Sequence, residues 1–300
     1  MKTTWLLIKR NIKLFFADKG LFFVSLITPA ILLVLYVTFL ENVYRDSFTS
    51  IITDGFGFTI PEKMISGFVG GQLISSLLAV TCVTVSFSSN MLMVQDKFTG
   101  MATDMSITPI KKYIPPISYY IATAAVTFVI VLVAMCGCLI YIGIIGWYIS
   151  LADILLLLLD VFLLVMFGTA LSSVINFFLS TQGQISAIGS TVSSCYGFIS
   201  GAYMPISQFP EWLQKAIAFF PGTYGTSLMR NHAMRGSLAA MEAEGLPAEA
   251  IDGLMDAVDC NIYFFDNKVE TWQSYLIIVA SIVVLIGIYV ALNLTRKKKK

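Results

Sequence analysis

The sequence predicts an all-α membrane protein with six transmembrane helices, both termini cytoplasmic, an amphipathic interfacial helix at the N-terminus and re-entrant outer helices between spans five and six. Three observations carry this. Charged residues make up 12% of the 300-residue chain, about half the roughly 25% of a soluble domain. Its apolar residues, at a mean hydropathy of +0.82, gather in blocks of about twenty, the length that crosses a bilayer as helix. Its basic residues cluster on alternate connections between those blocks.

Residues 1–20 interleave Trp5, Leu6, Ile8, Ile12, Phe15 and Phe16 with Lys9, Arg10, Lys13 and Lys19, the pattern of a helix lying at the cytoplasmic interface. The first apolar block, 21–40, is too long for the apolar region of a signal peptide and ends on Phe39-Leu40-Glu41 instead of small residues, so no cleavage is expected. The other spans are expected at about 64–94, 119–147, 154–178, 184–204 and 273–294. Outer loops are expected at 41–63 and 205–271, and a cytoplasmic loop at 95–118. No internal repeat or second soluble domain is visible, so 1–300 reads as one transmembrane domain. The acidic stretch 237–259 is expected to form an exposed helical pair in the outer loop.

Charge sets the orientation. Thirteen of the 19 basic residues fall in 1–19, 95–118 and the tail 296–300, which the positive-inside bias assigns to the cytoplasm. Net charge is only +1, which gives no reason to expect a nucleic-acid partner.

Much chemistry is absent. The sequence contains no GxxxxGK[ST], HExxH, GxSxG or GxGxxG, so a phosphate loop or a catalytic set of those kinds is not expected. No metal site is expected: the single histidine, His232, has no acid or cysteine beside it in sequence. Cys82, Cys136, Cys138 and Cys195 read as small buried hydrophobes, and Cys260 as a loop thiol without a partner in the chain, open to cross-linking between copies. Gly67–Gly71 and Gly197–Gly201 are GxxxG patterns suited to close helix packing.

Asp160 is the one acid well inside an apolar block, an expensive placement that suggests either a functional group or a paired one near the outer headgroups. Uncharged polar residues crowd the second and fifth spans. They fit helix–helix hydrogen bonding or a translocation path, for which Gln72, Ser76, Ser190, Ser194 and Tyr196 are the candidates. The loop Gln95-Asp96-Lys97-Phe98-Thr99-Gly100, followed by Met105-Ser106-Ile107-Thr108-Pro109, can form a short amphipathic helix that ends before Pro109. In the outer segment Pro205, Pro210, Trp212, Pro221 and Tyr224 mark a short helix dipping into the outer leaflet, with Pro210 at its start and Pro221-Gly222 at its end.

With these motifs in order, nearly the whole chain resembles the permease subunit of a type-2 ATP-binding-cassette exporter. The carriers are the basic interfacial start, the six spans, the inner Asp-Lys-x-x-Gly…Thr-Pro-Ile-Lys-Lys loop, and the outer Met-Pro-Ile-x-x-Phe-Pro-x-Trp-Leu-Gln…Phe-Pro-Gly-Thr-Tyr segment with Arg230 following. The resemblance implies a multi-pass protein of the bacterial cytoplasmic membrane. It implies a second permease copy, identical or related, and a separate ABC-type ATPase that holds the ATP and Mg, leaving this chain non-catalytic and without a cofactor. Asp96, Lys97, Phe98, Thr99, Gly100, Met105 and Pro109 would couple to that ATPase. Substrate would leave past the re-entrant segment. Drugs, antibiotic peptides and lipid-like molecules are the implied cargo, with polysaccharide or teichoic-acid-like polymers as the alternative. An ion-coupled secondary transporter would instead call for several intramembrane acids and inverted repeats.

Overall fold

The computed structural model describes residues 2–50, 52–53, 60–265 and 267–295. The basic tail 296–300 and residues 54–59, part of the expected first outer loop, lie outside the described residues.

Thirteen helices, α1 to α13, and one small hairpin follow in order among the described residues. Helix α1 (Lys2–Ala17) leads into α2 (Lys19–Leu35). A π-helical turn, Tyr36–Leu40, then carries the chain without a break into α3 (Glu41–Ser50). Residues 41–50, expected as loop, are therefore helical: nothing in them breaks a helix, and Arg45 pairs with Glu41 one turn away at 2.6 Å. Helix α4 (Glu62–Ser89) continues after a turn at Asn90 into α5 (Met91–Phe98), and Gly100, at φ 87°, swings the chain into α6 (Met101–Ile107). Helix α7 (Ile114–Ile145) opens on Pro115-Pro116. Capping boxes start the next two helices, Ser150 with Asp153 for α8 (Leu151–Phe178) and Thr181 with Gln184 for α9 (Gln182–Ile199).

Among the described residues, five segments are long and apolar enough to cross a bilayer: Ser25–Ser50, Glu62–Phe98, Ile114–Ile145, Leu151–Phe178 and α13 (Thr271–Thr295). Helix α9, the expected fifth span, is shorter and richer in polar residues. Its 18 residues make a rod of about 27 Å at 1.5 Å per residue.

Helix α4 is the axis of the bundle, packed by α2, α3, α7, α8, α9 and α11 (Pro221–Ala243). It can be buried all round although it is rich in hydroxyls, because they bond its own backbone. Thr81, Thr84 and Ser86 donate to the Leu77, Val80 and Cys82 carbonyls at 2.7–2.9 Å. Small residues let neighbours close in. A Cβ on Gly71 would meet the Ala233 carbonyl oxygen at 2.8 Å. The exterior is the greasy side: Ile27 and Ile31 of α2, Val133 and Ile144 of α7, and Val283 and Val284 of α13 are all at least half exposed. This is an all-α membrane protein, with polar groups inside and hydrocarbon outside.

The segment between α9 and α13 departs most from expectation. A 3₁₀ turn (Ile206–Gln208) and α10 (Glu211–Ile217) precede the 23-residue α11, which runs through the core. Pro221 thus opens a long buried helix; the expectation that it closes a short one was wrong. Pro210 is the residue before α10, one position earlier than expected. The acidic stretch is also no free-standing pair. Leu238 and Met241 of α11 join Ala250 and Leu254 of α12 (Ala248–Ala257) in the main core. The hairpin β1 (Ile262–Phe264) and β2 (Asn267–Val269) pairs Tyr263 with Lys268.

Two expectations about cysteine are corrected. Cys82 and Cys138 are buried, but Cys136 and Cys195 lie on the exterior. Cys260 is buried, and burial pushes its thiol up to about 12, so it is no open partner for another copy.

Candidate functional site

Four groups of residues carry polar chemistry. The first is the connection from α5 to α6. Asp96 is buried, and Arg10 of α1 reaches it twice, at 2.6 and 3.0 Å. The Tyr119 hydroxyl of α7 donates to the same carboxylate at 2.5 Å. This bond to Asp96 raises the Arg10 guanidinium above its ordinary value, against the opposing effect of burial. Lys97 turns the other way: its ammonium donates to the Asn176, Phe177 and Leu179 carbonyls at 2.8, 2.8 and 3.2 Å, satisfying the open end of α8. Asp96 and Lys97 are therefore braces within the chain, not groups held out to a partner. What faces outward is apolar: Phe98 at 58%, Met101 at 41% and Ile107 at 75% exposure. Thr99 donates to the Gln95 carbonyl and ends α5, Gly100 makes the elbow, and Met105 packs inward near Tyr119 and Tyr289. Pro109 follows the end of α6.

The second group is the proposed path, whose members the structure does not bring to one open surface. Gln72 and Ser76 are buried in α4, with the Ser76 hydroxyl accepting from Arg230 at 3.3 Å. Tyr196 is buried and its hydroxyl has no partner among the described residues. Ser190 and Ser194 lie on the exposed face of α9.

The third group is the junction of α9, α10 and α11. Tyr224 donates to the Ala218 carbonyl at 2.6 Å, and Thr223 donates to the Ile199 and Ile217 carbonyls at 3.2 and 3.4 Å. Pro205 starts the 3₁₀ turn, while Trp212 stands 71% exposed.

The fourth group was missed in the sequence. Three basic residues of α11 each meet a carboxylate. Arg230 bonds Asp259 at 3.0 Å and also donates to the Gly201 carbonyl. His232 Nδ1 lies 2.6 Å from Asp160 Oδ2, and Arg235 lies 2.5 Å from Asp153. Tyr275 of α13 donates to the other Asp160 oxygen at 2.7 Å. His232 is thus not without an acid: its partner stands 72 positions away in sequence. Asp160 is a paired group. Burial raises the Asp259 carboxyl above its ordinary value, opposed by Arg230 and the Ile206 amide. One signal was available: Asp153 and Asp160 are seven apart, one face of a helix, and the stretch that forms α11 holds three basic residues before its first acid, Glu242.

A bundle of bilayer-length helices with a polar interior is a multi-pass integral membrane protein. The description ABC-2 type transporter matches residues 2–233, and the chain belongs to that family. No curated protein matches the chain. The match ends within α11, so α12, the hairpin and α13 lie beyond it.

Proposed function

We propose that this chain is the transmembrane subunit of an ATP-driven exporter, with six spans, both ends in the cytoplasm and a separate ABC-type ATPase supplying the energy. The observation that carries the reading is the elbow between α5 and α6. Phe98, Met101 and Ile107 project apolar surface from the connection that the charge pattern assigns to the cytoplasm, and a solvated loop would not hold such side chains without something to cover them. An ATPase seated there would push on α4 directly through α5. The sequence has no phosphate loop of its own, which supports nucleotide chemistry on the partner. A second copy completes the path: α9 presents Ser190, Thr191 and Ser194 outward, and such groups are better covered by protein or a wet channel than by lipid. Amphipathic drugs, antibiotic peptides or lipid-like molecules suit a path of this kind, with cell-wall polymers as the second class.

The test is purification of the chain from its native bacterial membrane. An ABC-type ATPase is expected to co-purify, and export in vesicles is expected to stop when that ATPase is inactivated. Export that continues without it and collapses with the ion gradient would favour the ion-coupled reading.

A further inference from the structure

Along α11 the charges of the core can be paired off. Arg230 is matched by Asp259 and Arg235 by Asp153, and both arginines stay charged at any physiological pH. Asp160 is matched only by His232, with Tyr275 as its second hydrogen-bond donor. The Asp160 side chain is 0% exposed and that of His232 8%. The 2.6 Å contact between them needs a proton between the two atoms, which neutral histidine supplies from Nδ1. That state leaves the cluster at a net charge of −1 in the low-dielectric interior of a membrane protein. One further proton, on Nε2 of His232 or shared with the carboxylate, brings the cluster to zero without changing either hydrogen bond.

We propose that Asp160, His232 and Tyr275 form a proton-binding site in the interior of the bundle, and that the bound proton holds α11 against α8 and α13. The three residues sit on three different helices, so the charge of the site acts on their docking. The two arginines of α11 are already held by Asp259 and Asp153. From α4 the titratable group that senses Asp160 is Cys82, a thiol that brings no positive charge. From α13 it is Tyr275, and from α8 itself it is Asp153, already bound to Arg235. A metal does not fit: the histidine nitrogen and the carboxylate oxygen bond each other, and no cluster of three or more metal-ligating residues occurs among the described residues.

The test uses the fact that the chain has one histidine. With ¹⁵N-histidine in the full chain in lipid nanodiscs, the imidazole nitrogen shifts are expected to change in a single step as the site loses its proton on raising the pH. In Asp160→Asn that step is expected to move by about one pH unit or more. The melting temperature of the unmodified chain is expected to fall by about 3 °C or more from pH 6.5 to 9.5, a fall that His232→Gln abolishes. Nitrogen shifts that stay constant, a midpoint unchanged in Asp160→Asn, or a fall that persists in His232→Gln would each overturn the proposal. If His232→Gln does not fold, the nitrogen titration of the unmodified chain decides. Neither measurement needs an ATPase or a transported substrate, so failure here is separate from failure of the exporter reading.

Discussion

Single side chains at the end of the bundle that holds α5 and α6 do structural work that their charge alone does not reveal. Asp96 accepts from Arg10 and Tyr119, so it ties α1 and α7 to α5. Asp96→Asn keeps the shape and removes the charge. It is expected to cost about 1.5–3 kcal/mol, the worth of hydrogen bonds to a charged group, read as a lower melting temperature. An unchanged value would mean that α1 is held by its apolar face alone. Gly236 is a second position where one atom decides. A Cβ there would lie 1.8 Å from the Tyr148 carbonyl oxygen, which is backbone and cannot swing away. Gly236→Ala is expected to lose about 1–3 kcal/mol by overpacking, whereas Gly253→Ala, with nothing nearby, is expected to lose none. Cys260 gives a third residue-scale prediction: with its thiol pushed up to about 12 and buried, it is expected to resist maleimide in the folded protein and react after denaturation. Rapid labelling of the native chain would show that α12 and the hairpin do not pack as described.

At the scale of elements, the elbow from α5 to α6 separates two roles that the sequence ran together. The loop was legible as an amphipathic element because its apolar and charged residues alternate at helical spacing. Which residues face out was not legible, since that depends on Arg10, Tyr119 and the end of α8, all distant in sequence. With Asp96 and Lys97 turned inward, charge reversal at either is expected to disturb the fold before it disturbs a partner. Phe98→Ser and Ile107→Ser make the opposite prediction. Both side chains are more than half exposed, so stability is expected to stay within about 0.5 kcal/mol, while on the exporter reading proposed above the stimulation of the partner ATPase is expected to fall. Full stimulation in both variants would move the docking surface elsewhere. Helix α11 shows the other limit of the sequence. Hydropathy finds a helix that buries itself in lipid, but α11 carries Arg230, Asn231, His232 and Arg235 and reads as a polar loop. Its partners Asp153, Asp160 and Asp259 cancel those charges only once the chain has folded. The spans that face lipid were readable for the reason α11 was not: their exterior had to be apolar along its whole length.

For the whole molecule, the unfinished surface is the face of α9. On α8 the exposed side chains are aliphatic or aromatic and suit hydrocarbon. On α9 Phe198 and Ile199 are exposed near its end, but Gln184, Ser186, Ser190, Thr191, Ser194 and Cys195 are exposed along the rest. The Ser190 and Thr191 hydroxyls both bond the Ala187 carbonyl, so at these positions the helix tolerates lipid without being matched to it. Two-fold pairing of identical chains brings a helix against its own copy, residue meeting like residue near the axis. Cys195 then provides a built-in reporter, because a disulfide forms only when the two Cα atoms come within about 7 Å. Mild oxidation of membranes containing the unmodified chain is expected to give a covalent dimer that Cys195→Ser removes. Cys136, exposed on α7, is the internal control. Dimers that depended on Cys136 would place the pairing face on α7. Should no dimer form with cysteine at 195, 190 or 194 in turn, α9 would be a lipid-facing helix, and the path would have to open within a single bundle, between α4 and its neighbours.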